Sequence, residues 1–166
     1  MLRLFGEIKE SITDGPGLRY AIFTQGCPHY CPGCHNPESH SFTEGYLVKE
    51  EKVISEILGN PLLDGVTFSG GEPFMQAPEL SIVAEAVKGK GLGIIVFSGY
   101  TYEELLELSA YRKGYRSLLE KTDILIDGRF EIDKKSLNLR FRGSSNQRAI
   151  DVPSSLAGGE VVLYPL

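Results

Sequence analysis

Three cysteines, Cys27, Cys31 and Cys34, fall within the eight-residue run CPHYCPGC and account for all the cysteine in the chain. An odd number of thiols in a chain without an export signal argues against a disulfide framework and for reduced thiols or metal ligands. Spacings of four and three would align on one helix face, but Pro28, Pro32 and Gly33 disfavour a regular helix there. A loop wrapped round a metal centre is the better reading. Iron–sulfur clusters are normally held by cysteine thiolates, four for a 4Fe-4S cube, so three leave one iron open to another ligand. The alternative is a structural zinc site, Cys3His with His29 or His35, although such sites usually draw their ligands from two separated pairs.

Such a loop needs a scaffold, and the apolar runs Leu18 to Thr24, Val66 to Ser69, Ile94 to Ser98 and Ile124 to Asp127 read as buried strands. A weaker fifth lies near Ala149 to Val152. Between them, Val53/Ile54/Ile57/Leu58 and Leu80/Val83/Ala84/Val87 repeat at helical spacing, and Thr101 with Glu104 forms a capping-box start for a helix carrying Leu105, Leu106 and Leu108. Alternating strands and helices imply right-handed crossovers and parallel strands. A closed eight-stranded barrel takes about 250 residues, so an α/β fold with a partial, open (β/α) barrel of parallel strands is expected, one domain over residues 1–166. Ligands bind such sheets at the loops after the C-terminal strand ends, where GCPHYCPGCHN, GGEP, SGY and DGRF all fall.

With 42% hydrophobic and 23% charged residues, the 166-residue chain can bury one core. A formal net charge of -5 argues against nucleic acid or a membrane surface as partner. The start, MLRLFGEIKE, carries acids where a signal peptide needs an apolar run, and no stretch approaches the roughly 18 apolar residues of a membrane span. A cytoplasmic protein is expected.

Cys-x3-Cys-x2-Cys after a first strand resembles the signature of the radical S-adenosylmethionine (SAM) superfamily. Within it, DGPGLR (Asp14 to Arg19), FTQGCPHYCPGCHNPES (Phe23 to Ser39), SGGEP (Ser69 to Pro73) and RGSSNQR (Arg142 to Arg148) resemble the activating proteins of anaerobic ribonucleoside-triphosphate reductases, in that family's order. Gly33, standing where the wider superfamily often has an aromatic residue, agrees with the narrower resemblance, as does the short chain. The resemblance implies a barrel of the radical SAM type and a 4Fe-4S cluster on Cys27, Cys31 and Cys34. It also implies reductive cleavage of SAM to methionine and a 5′-deoxyadenosyl radical, which takes the α-hydrogen of a glycine in the reductase. The cluster and SAM carry the chemistry, and no acid–base pair is assigned.

The same resemblance implies that the Gly70, Gly71 and Glu72 segment accepts hydrogen bonds from the SAM ammonium group, with glycines allowing close approach. The backbone of Gly33, Cys34 and His35 would lie against the adenine, the His35 ring being either a stacking surface or an ordinary loop histidine. Arg129 in DGRF could pair with the SAM carboxylate, and Ser98 and Asn146 could reach SAM or serve as caps and turns. Asp14 to Arg19 and the segment Arg129 to Arg148, with six Lys/Arg against two acids, are candidates for docking the reductase or for a solvated charged face. Reduced flavodoxin as electron donor and a homodimer are family-level expectations. The rivals are an activase of another glycyl-radical enzyme such as pyruvate formate-lyase, a radical SAM enzyme acting on a metabolite, and a zinc-binding interaction module.

Overall fold

The structure, a computed structural model, describes residues 1–166. Seven strands make one sheet: β1 (Leu2–Ser11), β2 (Arg19–Thr24), β3 (Tyr46–Val48), β4 (Gly65–Gly70), β5 (Gly93–Phe97), β6 (Ile124–Asp127) and β7 (Arg148–Asp151), in the order β3-β1-β2-β4-β5-β6-β7. The sheet does not close on itself. β2, β4, β5 and β6 run parallel, as the apolar runs predict. An all-parallel sheet is not what forms: β1 is antiparallel to β2 and β3, and β7 is antiparallel to β6. The β1–β2 link (12–18) and the β6–β7 link (128–147) carry no α-helix, so neither can make the crossover that parallel pairing requires.

Helices α1 (Glu50–Leu58), α2 (Ala77–Lys88) and α3 (Tyr102–Leu108) occupy the predicted positions, and α4 (Tyr115–Lys121) and α5 (Val152–Gly158) are additional. The Thr101 hydroxyl caps α3 by accepting from the Glu104 amide at 3.1 Å. The reciprocal half of the box is absent, because the Glu104 carboxylate is taken by Arg129.

Strand alternation sorts the sheet into two faces. Tyr20, Ile22, Val66, Phe68, Ile94, Val96, Leu125 and Ile150 join residues of all five helices in the main core. The opposite face carries Ile95, Ile124, Ile126 and Ala149 as a small apolar cluster, with Phe97 packed on it. Beside it, polar Thr67 and Ser69 share the face through the parallel register with Ala21 and Phe23. This second face bears the site. No helix is long and apolar enough to cross a membrane.

Candidate cluster site

The cysteine loop leaves the C-terminal end of β2 and is closed at its base by backbone pairing. Gly26 N donates to Ser39 O at 2.7 Å and Cys27 N to His40 O at 3.1 Å. The Gln25 amide clamps the same base, donating to Glu38 O and Ser41 O at 3.0 and 2.7 Å. Inside this closure Cys34 N donates to Cys31 O at 3.1 Å, and none of the thiols is in a disulfide. Cys27 is buried while Cys31 and Cys34 are half-buried, and all three line one cavity of about 400 Å³. That volume is within the range of small-ligand sites. Burial pushes the Cys27 thiol up to about 11, offset in part by the His29 and Tyr30 amides. No three His, Cys, Asp or Glu side chains converge as a single-ion site.

The glycine turn follows β4 and zips onto the base of that loop. Gly71 N donates to Thr24 O at 2.8 Å and Glu72 N to Gly26 O at 2.9 Å. Glycine is dictated by this backbone contact. A Cβ on Gly71 would lie 2.4 Å from Gly26 O, and one on Gly70, at φ +99°, 2.3 Å from Thr24 N. Both glycines line the cavity, so their missing side chains serve the packing behind the turn as well as access in front of it.

Glu72 is fully buried and does not line the cavity. Its carboxylate accepts from Gly99 N at 2.8 Å, Phe74 N at 3.0 Å and the Ser98 hydroxyl at 2.9 Å, and lies 2.7 Å from His29 Nε2. Ser98 borders the cavity, but its hydroxyl is committed to Glu72 and to the Tyr100 amide.

The remaining predicted residues divide. Exposed His35 lines the cavity, its ring 5.2 Å from that of Phe130. Gly33 is exposed between two cysteines and is not in the cavity wall. Arg129 is also outside the wall: its guanidinium forms a two-pronged pair with Glu104 at 3.0 and 3.3 Å and lies 5.9 Å over the Tyr100 ring. Asn146 donates to Arg129 O at 2.8 Å, and its neighbour Gln147 is the residue that reaches the cavity. Gln147 joins the DGRF and RGSSNQR loops, donating to Gly128 O and accepting from the Gly143 and Ser144 amides. His40, unremarked in the sequence, lines the cavity with a buried Nε2 that has no partner. A buried polar atom normally has one; the three free thiols round one hollow are a donor set that fits an iron–sulfur cluster.

Within the docking candidate Asp14 to Arg19, the arginine does not face a partner. Arg19 is 5% exposed and its guanidinium donates to Thr67 Oγ1 and to the carbonyls of Pro16, Val66 and Gly93. It holds DGPGLR across the sheet and offers no cation to a partner. At the ends of the second basic segment, Arg129 pairs with Glu104 and Arg148 with Asp127 and Glu103. Lys135, Arg140 and Arg142 have no ion-pair partner.

Residues 13–150, which include the three-cysteine loop and the parallel strands that carry it, match the family model of a 4Fe-4S single cluster domain. The chain is thus a member of that iron–sulfur class. Among relatives, the anaerobic ribonucleoside-triphosphate reductase-activating protein of Haemophilus influenzae is 34% identical over 144 residues, covering 82% of this chain and 89% of its own. That of Pasteurella multocida is 37% identical over 147 residues, with the same coverage. The pyruvate formate-lyase-activating enzyme of Staphylococcus aureus is 31% identical over 150 residues, 87% of this chain and 59% of its own. The chain belongs to the family of anaerobic ribonucleoside-triphosphate reductase-activating proteins.

Proposed function

We propose that this protein activates the anaerobic ribonucleoside-triphosphate reductase, holding a 4Fe-4S cluster on Cys27, Cys31 and Cys34 and SAM beside it. The observation that carries this reading is that the three unpaired cysteines share one cavity with the Gly70–Gly71 turn. When bound, the reduced cluster and SAM supply a 5′-deoxyadenosyl radical able to take the α-hydrogen of a glycine.

The chain's own residues bind, orient and exclude water. Burial disfavours ionisation of the Cys27 thiol in the free protein, and metal coordination is what makes such a thiol a thiolate. Gly70 and Gly71 present their backbone to SAM, held from behind by Thr24, Gly26 and Glu72. Cys34 and His35 flank the adenine, with Gly33 behind them against Ile132 and Phe130, and Ser98 and Glu72 support the turn. Asn146 acts through the Arg129 carbonyl, and Arg129 would reach SAM only by giving up Glu104. The open sheet is of the radical SAM type, its unclosed side admitting a glycine-bearing segment of the protein substrate. A cytoplasmic setting, a flavodoxin-like electron donor and a homodimer complete the proposal.

The relative that activates pyruvate formate-lyase motivates a second reading, in which that enzyme is the substrate. Anaerobic mixing of the loaded, reduced protein and SAM with each candidate enzyme, followed by electron paramagnetic resonance (EPR), separates the two. The proposal expects a glycyl radical on the reductase; a signal on pyruvate formate-lyase alone would overturn it.

A further inference from the structure

We propose that the hydrogen bond between His29 and Glu72 is a strap that sets the cysteine loop against the glycine turn, making His29 a positioning residue for SAM. The inference rests on the reading above, which assigns these two segments to the cluster and to SAM.

His29 lies between Cys27 and Cys31 and borders the same cavity, with its side chain only 5% exposed. Its Nε2 is 2.7 Å from Glu72 Oε1, and its ring meets the edge of Tyr100 with centroids 4.6 Å apart. The imidazole occupies the space where Gly99 lacks a side chain, since a Cβ there would lie 2.4 Å from His29 Cδ2. Glu72 is fully buried, and its other donors are the Ser98 hydroxyl and the Phe74 and Gly99 amides. One carboxylate therefore joins the cysteine loop, the turn after β4 and the loop after β5. His29 is the cysteine loop's side-chain contribution to this junction, whereas the other links of that loop to the turn are backbone bonds at its base. Losing one partner of a buried hydrogen bond to a charged group is worth roughly 10- to 100-fold in an equilibrium constant.

The test compares His29→Gln, whose amide can reach Glu72, with His29→Asn, which is one methylene too short, and with His29→Ala. Each reconstituted variant is assayed for iron and sulfide, and SAM is titrated into the reduced protein while the EPR spectrum is followed. All three are expected to load iron as the parent does, with the SAM midpoint about tenfold weaker or more in the Asn and Ala variants and largely restored in the Gln variant. An unchanged midpoint in His29→Asn, no rescue by Gln, or loss of iron in every variant would overturn the strap. A parent protein whose loaded cluster does not respond to SAM would instead overturn the proposed function, and the strap with it.

Discussion

Arg19 Nε donates to Thr67 Oγ1 at 2.8 Å, and Thr67 Oγ1 donates in turn to the carbonyl of Asp14 at 2.7 Å. This relay folds the loop after β1 onto the face of the sheet that carries the site, and places Thr13 and Asp14 in the cavity wall. Arg19→Ala removes the donor from several buried carbonyls at once. It is expected to lower the unfolding free energy by about 3 kcal/mol in urea titrations. A loss below about 1 kcal/mol would mean that the guanidinium does not clamp the loop.

Behind the glycine turn there is no room for a methyl group, whereas Gly158 has nothing within 4 Å of the Cβ position. Gly71→Ala should therefore displace the turn from Gly26 and weaken SAM binding, while Gly158→Ala, in helix α5, should be neutral or stabilising by about 0.5–1 kcal/mol. Thermal melts and SAM titrations of the two variants check this. Equal behaviour would show that the close approach of residues 26 and 71 carries no function.

At the far side of β2, the Tyr20 hydroxyl lies 2.7 Å from both Glu7 Oε1 and Glu56 Oε2. This hydrogen bond is the largest cause holding the Glu56 carboxyl below its usual range. A carboxyl depressed by folding adds stability above its unfolded pKa and loses it as pH falls through the folded one. Tyr20→Phe should thus cost about 1 kcal/mol at pH 7, with the gap to the parent narrowing below the ordinary carboxylate range. A pH-independent difference would contradict the assignment.

The central strands were readable because β2, β4, β5 and β6 are buried on both faces and spell continuous apolar runs. β1 was not: Gly6 and two register shifts break its alternation, and Phe5 and Ile8 are exposed among charged residues. Helix α5 has only seven residues, though its cap was available, with Asp151 accepting from the Ser154 amide ahead of the first turn. In the site, cysteines and glycines announce themselves by type and local spacing. His29 and Glu72 meet across 43 residues of sequence, and His40 and Gln147 join the wall through loop closures no local pattern encodes.

The most direct test of the central claim is to reconstitute the protein with iron and sulfide anaerobically, reduce it, add SAM and quantify 5′-deoxyadenosine against a Cys34→Ala control. The account predicts product from the parent alone, with iron retained only when all three cysteines are present. Product from both proteins, or none from a parent whose cluster is loaded and reduced and whose reductase partner is supplied, would contradict it.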